Sequence, residues 1–403
     1  MKVAVIGGGA AGFFAAIHVK ENYPSFEVDL YEKTTKVLSK VKISGGGRCN
    51  VTHHCQNIKE LVQAYPRGAK FLKLAFRSWD NNNMWEWLHE KNVPLHIEAD
   101  NRVFPKSNDS QSIIDCFTKE IKRLNINLHL KQGVTQIEQK EAKIELTFSP
   151  GHPSKIFDHV ILATGGYPKK SGYVYLEKLG HEISDPIPSL FTFNMPSEPI
   201  VNLMGLVAPN AHIRIQGSKL KASGPLLVTH WGMSGPAILK LSAFGAAHLK
   251  DLDYKFKIQV NWVNILNQQL VLEHLQDIKN KHPKKQLSNE RAFLLPTRLW
   301  NFLLQKIELP LNKVWGELGS RSLNKMADLI CNDVYEVSGK TTFKEEFVTC
   351  GGVSLKSVDK NLQSKVVKNL YFAGELLNID GITGGFNFQA AWTTAYIAAK
   401  LQG

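Results

Sequence analysis

Gly7-Gly-Gly9-Ala-Ala-Gly12 decides the fold of this chain: it follows Lys2-Val-Ala-Val-Ile6, five residues that read as a short buried strand. From Gly9 to Glu21 the pattern is helical, with Phe13, Phe14, Ile17 and His18 near helical spacing. Phe26 to Glu32 reads as a second strand, which completes the start of a strand-helix-strand unit. In that setting Gly7 permits the tight turn, Gly9 lets backbone approach a pyrophosphate, and Gly12 lets helix and strand pack closely. The helix start offers free N–H groups and a positive dipole end to phosphates. Glu32 stands at the end of the second strand, twenty residues beyond Gly12, where a carboxylate accepts from ribose hydroxyls. A dinucleotide site follows.

Two further glycine turns point to the same ligand. Ile161-Leu-Ala163-Thr164-Gly165-Gly166 ends a buried strand on two glycines, which lets the chain pass close to a bound dinucleotide. Tyr371-Phe-Ala-Gly374-Glu375, followed by Asp380-Gly381 and Gly384-Gly385-Phe386-Asn387-Phe388-Gln389, leads into a helix whose N-terminus can face an electron-rich ring oxygen, as a reduced flavin requires. Three such approaches, far apart in sequence, suit a long cofactor better than a mononucleotide. A fourth stretch, Lys40-Val-Lys-Ile-Ser44-Gly45-Gly46-Gly47-Arg48-Cys49-Asn50, sets hydroxyl, guanidinium, thiol and amide groups around three glycines. Such a segment can touch a ligand with backbone and orient it with side chains. Cys49 reads either as a small buried hydrophobe or as a functional thiol.

Between these motifs the texture changes. Ser110 to Leu124 reads as a helix, and Ile126 to Leu130, Val134 to Gln139 and Lys143 to Phe148 as strands. Residues 189–263 alternate in strand fashion with proline and glycine breaks, whereas 264–342 are mostly helical in pattern. The expected architecture is α/β: a Rossmann-like domain discontinuous in sequence, 1–188 with 343–403, interrupted by a β-rich insertion and a helical insertion.

Composition narrows the class. With 403 residues, 43% of them hydrophobic, the chain can bury a large core, and disorder is excluded as a global description. The first residues enter a strand directly with no secretory signal pattern, and no apolar stretch reaches about 18 residues, so neither export nor a membrane span is expected. Five cysteines without a CxxC pair argue against a disulfide framework or a zinc site, and a reducing cytoplasm fits them. The formal charge is +13, from 49 Lys and Arg against 36 Asp and Glu, a surplus that attracts polyanions.

The marks Ser44-Gly-Gly-Gly-Arg-Cys-Asn50, Arg102-Val-Phe-Pro105, Ala163-Thr-Gly-Gly166, Thr229-His-Trp-Gly-Met-Ser-Gly-Pro236, Gly351-Gly-Val353 and Gly374-Glu375 through Gln389 resemble the BaiN/RdsA family of NAD(P)/FAD-dependent flavoproteins over essentially the whole chain. The resemblance implies FAD in the discontinuous domain, a β-barrel-like insertion and a helical one. The cofactor set expected from motifs and resemblance together is Gly7, Gly9, Ala11, Gly12, Glu32, Lys33, Lys40, Ser44, Gly45, Gly46, Arg48, Cys49, Val134, Ala163, Thr164, Gly165, Gly374, Glu375, Asp380, Gly385, Asn387, Phe388 and Gln389. His53 and Asn378 depart from the family pattern, which usually carries asparagine and aspartate at those places.

No second GxGxxG unit is present, so no dedicated nicotinamide domain is expected. NAD(P)H would then act as a transient reductant at the flavin face, or the substrate itself would reduce the flavin. The resemblance implies activities as different as reduction of a uridine in large-subunit ribosomal RNA, steroid-type reduction and amine oxidation. A flavin-containing ribosome-associated factor without turnover is a third class. Cys49 is the candidate general acid, with Arg48 and Asn50 orienting the substrate. Charge favours ribosomal RNA over a small molecule: Lys279, Lys281, His282, Lys284, Lys285, Arg291 and Arg298 crowd one stretch, and Lys219 and Lys221 lie in the β insertion. A second basic segment runs from Lys36 through Arg67 to Arg77, with Tyr65, Phe71, Phe76 and Trp79 interleaved. For any one segment, a solvated face over core aromatics is the plainer reading.

Overall fold

A computed structural model describes residues 1–341 and 348–402. The described chain forms two compact units, Met1–Ser189 with Phe343–Gly403, and Leu190–Thr342. The boundary expected at 342/343 falls outside the described residues.

In the first unit the opening strand Lys2–Ile6 is buried from Val3 onward, as a strand covered on both faces must be. It pairs in parallel with Glu27–Tyr31 on one side and with His159–Leu162 on the other. Leu370–Phe372 extends the sheet beyond His159–Leu162, and Asn127–His129 extends it beyond Glu27–Tyr31, giving five parallel strands. The first helix runs from Ala10 to Asn22 and the helix read near Ser110 from Gln111 to Arg123. The closing helix Phe386–Ala398 packs on Ala10–Asn22, and Phe14, Trp87, Phe117 and Trp392 form an aromatic centre between the helices. Because the strands are parallel, Gly7, Glu32, Ala163 and Gly374 all emerge at one edge of the sheet. Ligands of open α/β sheets bind at that edge.

The second unit is a seven-stranded sheet in the order Asp333–Val337, Phe256–Asn261, Val207–Ile215, Lys221–Thr229, Gly232–Ser234, Thr192–Asn194, Gly339–Thr341. All its pairings are antiparallel. Its central strands alternate as one-sided sheets do: Ile213, Ile215, Ala222, Ile258 and Val260 are buried, while Arg214, Lys221 and Lys257 are exposed. Helices Pro236–Asp251, Gln268–Lys281, Thr297–Lys306 and Ser320–Asn332 supply the other half of the core, through residues such as Leu241, Leu275, Trp300 and Met326. The stretches 189–263 and 264–342, distinct in sequence texture, share this one core. Asp333–Val337 and Gly339–Thr341, from the helical stretch, complete the sheet.

No helix among the described residues is long and apolar enough to cross a membrane. No group of His, Cys, Asp and Glu among them could hold a metal ion. All five cysteines are free and buried.

Candidate cofactor and active site

The first turn divides its glycines by task. Gly7, at φ +118°, donates its N–H to Tyr31 O at 2.8 Å, and a Cβ there would lie 2.3 Å from Ala163 O. A Cβ on Gly12 would lie 1.8 Å from Gly7 O. Both positions therefore exclude any side chain for packing reasons. Gly9 is different: its Cβ would meet nothing within 4 Å, so the space beside it is open. Gly9 caps the helix without a side chain, and the N–H groups of Ala10, Ala11 and Gly12 have no partner among the described residues. These are donors held for an acceptor from outside.

Glu32 sits beside them. Its two carboxylate oxygens accept from Gly8 N–H at 2.8 Å and Thr34 N–H at 2.9 Å, which fixes the group and leaves lone pairs for ribose hydroxyls. The segment before Val134 runs along this turn: Gln132 N–H donates to Glu32 O at 3.0 Å, and Gly133 presses against the Cβ of Lys33. Val134 and Lys33 are thus brought to the ribose side. Across the edge, Ala163 N–H donates to Ile6 O, and Gly165, at φ +76°, faces open space. Thr164 is half-buried between them. Gly374 packs against Ala11 and donates its N–H to Thr394 Oγ1 at 2.9 Å. Glu375 pairs with Lys40 at 2.5 Å, so the second and third glycine turns and the Lys40 segment meet.

Ser44, Gly45, Gly46 and Gly47 interrupt the helix Ser39–Gly47, with the three glycines at φ +58°, +69° and +85°. Gly46 and Gly47 have open space where a side chain would be. Cys49 is fully buried among apolar residues, and burial pushes its thiol up to about 12. A thiol with no exposed surface is placed here as a packing group. Arg48 pairs with Glu98 at 2.6 Å and lies 4.0 Å over the Phe104 ring, and so is already engaged. Asn50 is buried; oriented to satisfy both ends of its amide, it donates to Thr52 O at 2.9 Å and accepts from Gly385 N–H at 3.1 Å. Asn50 thereby ties the start of the closing helix to the Thr52 strand.

Three residues of the expected cofactor set, Asp380, Asn387 and Gln389, have their side chains engaged within the chain. Asp380 is fully buried, held by Arg67 and by Ser189 Oγ; burial works to lower Arg67, but the ion pair with Asp380 outweighs it and holds the guanidinium above its ordinary range. Asn387 clamps Gly381 through both its N–H, at 2.8 Å, and its C=O, at 2.9 Å. Gln389 is buried, accepting from Thr52 Oγ1 at 2.6 Å and donating to Thr393 Oγ1 at 3.1 Å. Gly385 caps the helix Phe386–Ala398 at φ +91°, where a Cβ would strike Thr52 O. Phe388 stacks on Trp392. Arg67 and Thr394 escaped the sequence reading of this site: Arg67 was visible only as one more cation, and Thr394 gave no signal.

The two departures from the family pattern are both in place here. His53 Nδ1 bonds Gly384 O at 3.0 Å and its ring stacks on Phe386 at 4.4 Å, with burial lowering its pKa. Thr52, His53, His54, Asn81, Asn82 and Trp85 line a pocket of about 160 Å³ beside this helix start. Asn378 donates to Ser184 Oγ, and its Oδ1 is buried with no partner among the described residues.

The basic stretches are less free than their composition suggests. Lys279 donates to Leu318 O, Lys281 pairs with Asp277, Arg291 holds Leu295 O and Thr297 Oγ1, and Arg298 holds Asn202 O and Met204 O. In the earlier segment Lys40 and Arg67 are paired, and Tyr65, Phe76 and Trp79 are core.

Open space at Gly9 and Gly165, unpaired first-turn N–H groups and a fixed carboxylate at Glu32 fit a dinucleotide with its pyrophosphate over the helix start. Parallel sheet and site together define an FAD-dependent oxidoreductase. The HI0933-like protein Rossmann domain model matches residues 1–401, and the chain belongs to that family. A ribosomal RNA dihydrouridine synthase of Haemophilus influenzae is 26% identical over 98% of this chain and 96% of its own length. A 3-dehydro-bile acid delta(4,6)-reductase of Clostridium scindens is 24% identical over 99% of this chain and 98% of its own. Among solved structures, 3-ketosteroid-delta4-(5alpha)-dehydrogenase from Rhodococcus jostii shares the fold, with a TM-score of 0.53 at 12% identity over 98% of this chain and 96% of that one.

Proposed function

We propose that this protein reduces the C5=C6 bond of a uridine in 23S ribosomal RNA to dihydrouridine, with FAD as cofactor and NAD(P)H as the reductant. FAD supplies two-electron hydride chemistry when bound. The two named relatives that match end to end offer different substrates, RNA and a bile acid, and both names fit reduction of a C=C bond conjugated to a carbonyl. In uridine the C4=O group makes C6 electron-poor, so hydride goes to C6 and a proton to C5.

The observation that carries the choice of RNA is the formal charge of +13. An apolar steroid needs no cationic surface, whereas a phosphate backbone does. The base must leave its stack to react, at a cost of a few kcal/mol, which phosphate contacts offset.

The chain's own residues divide the work. The first-turn N–H groups and Glu32 hold the adenosine end. Asn50, Asp380 with Arg67, and Asn387 fix the loop that leads into the closing helix. His53, its Nδ1 tied to Gly384 O, lines the pocket with Asn81, Asn82 and Trp85 and orients the base there, while the proton for C5 comes from water.

The test incubates holoprotein and NAD(P)H with protein-free 23S rRNA lacking the modification. A uridine that gains two hydrogens by mass spectrometry is the expected result. Efficient turnover of an enone steroid or an amine, with no change in rRNA, would transfer the reading to a small-molecule flavoenzyme. NAD(P)H oxidation absent with every acceptor would leave a binding factor.

A further inference from the structure

We infer that the exposed face of the strands Val207–Ile215, Lys221–Thr229 and Phe256–Asn261 in the 190–342 unit is the landing surface for the RNA phosphate backbone. The inference rests on the RNA reading above and gives it a place on the molecule.

Arg214 and Lys221 are directly opposite each other across the Val207–Ile215 and Lys221–Thr229 pairing, both exposed. Like charges in that position destabilise a sheet. Among the described residues no carboxylate lies within ion-pair distance of Arg214, Lys219 or Lys221. Arg214 instead donates to Gln259 Oε1, a neutral partner that orients the guanidinium without neutralising it.

Two residues further along the same face, His212 bonds Ser223 Oγ at 2.8 Å. Its pKa is lowered by burial and by the charges of Lys221 and Arg214. The acid on this side, Glu336, is paired with Lys257 at 3.0 Å. The turn Gln216–Lys219 at the end of the hairpin borders an open, polar depression that Arg214 and Gln259 also line. Cations without counter-charges, flanked by neutral amides and hydroxyls, suit phosphate oxygens.

No Phe, Tyr or Trp lies on the exposed side of these strands, and His212 is the one aromatic ring there, so the face offers little for bases to stack on. It therefore tracks backbone and is blind to sequence. In the other crowded stretch, Lys279 to Arg298, Lys281 has a carboxylate partner and Lys279, Arg291 and Arg298 are tied down on carbonyls or a hydroxyl of their own unit, which leaves His282, Lys284 and Lys285.

The test measures binding of FAD-loaded protein to a fluorescent 23S rRNA fragment by anisotropy over about 50 to 200 mM salt. The double variant R214E/K221E is expected to bind roughly tenfold or more weakly and to show a shallower salt slope, with the same loss on unrelated RNA sequences. Lys221→Glu alone creates an opposite-charge pair with Arg214, so its melting temperature should equal or exceed that of the unaltered protein while RNA binding falls. This separates lost contacts from lost fold.

Unchanged affinity in R214E/K221E with a large loss in K284E/K285E would overturn the assignment and leave the RNA reading intact. Capture of phosphatidylglycerol vesicles through Arg214 and Lys221, with no RNA binding by the unaltered protein, would overturn it in favour of a membrane surface. No binding of RNA by the unaltered protein at low salt, together with turnover of a small alkene, would remove both readings.

Discussion

At Gly9 the nucleotide-binding unit keeps space open by omitting a side chain, whereas at Arg214 the 190–342 unit keeps charge open by omitting a carboxylate. Gly9 stands three residues before Gly12, and the two differ in what a methyl group would meet: nothing within 4 Å at Gly9, a carbonyl oxygen at 1.8 Å at Gly12. Arg214 stands near Lys257 on one sheet face, yet only Lys257 has an acidic partner. In each unit the informative position is the one whose neighbours within the fold leave it unsatisfied. A position explained by packing or pairing inside its own unit has no need of a ligand.

Gly12→Ala should give the largest effect. With its Cβ against Gly7 O, strand and helix must part, and a loss of about 3 kcal/mol or more in urea unfolding is expected. Gly9→Ala sharpens the contrast: unfolding should shift by no more than about 1 kcal/mol, because a glycine cap is exchanged for a poorer one without a clash. Flavin retention in the same variant should fall sharply, since the methyl occupies the space left for the pyrophosphate. Equal stability losses in the two variants would remove the distinction between packing glycine and ligand glycine.

Glu32→Ala should weaken FAD retention by roughly 1–3 kcal/mol, the cost of ribose hydroxyls left poorly paired. Fluorescence of released flavin on dilution reads this directly. Cys49→Ala should cost about 1 kcal/mol of stability through a small cavity and leave the rate of product formation unaltered. A collapse of product formation with FAD still bound would return the thiol to the chemistry.

The pH dependence has a worked sign. His18 is buried among Phe14, Trp79 and Tyr396, and burial lowers its pKa below the ordinary 6.5. The unfolded chain therefore binds more protons than the folded one as pH falls past 6.5. Stability is fully present above that pH and declines below it until the folded-state pKa is passed. His18→Phe should flatten this decline in melting temperature between neutral and mildly acidic pH. An unchanged slope would move the effect to His53, His159 or His181, which burial also depresses.

The sheet edge and its glycine turns were legible because their demands are local: a positive φ or a close approach shows in sequence as glycine. Burial of Cys49 was not legible, since the same glycine nest would surround a reactive thiol. The Arg67–Asp380 pair joins residues 313 positions apart, and nothing in either neighbourhood announces the other. Charge at Lys279, Arg291 and Arg298 was visible, but not that loop carbonyls hold these side chains in place. The pairing of Arg214 with Lys221 depends on strand register, and a one-residue slip would have put the two on opposite faces.

The measurement that tests the central claim most directly maps dihydrouridine across 23S rRNA from cells with and without this protein, by mass spectrometry of nuclease fragments. The account predicts one uridine that carries two extra hydrogens only when the protein is present, and restoration by the unaltered chain but not by Gly9→Ala. Identical maps in the two cells, with every dihydrouridine retained, would contradict it.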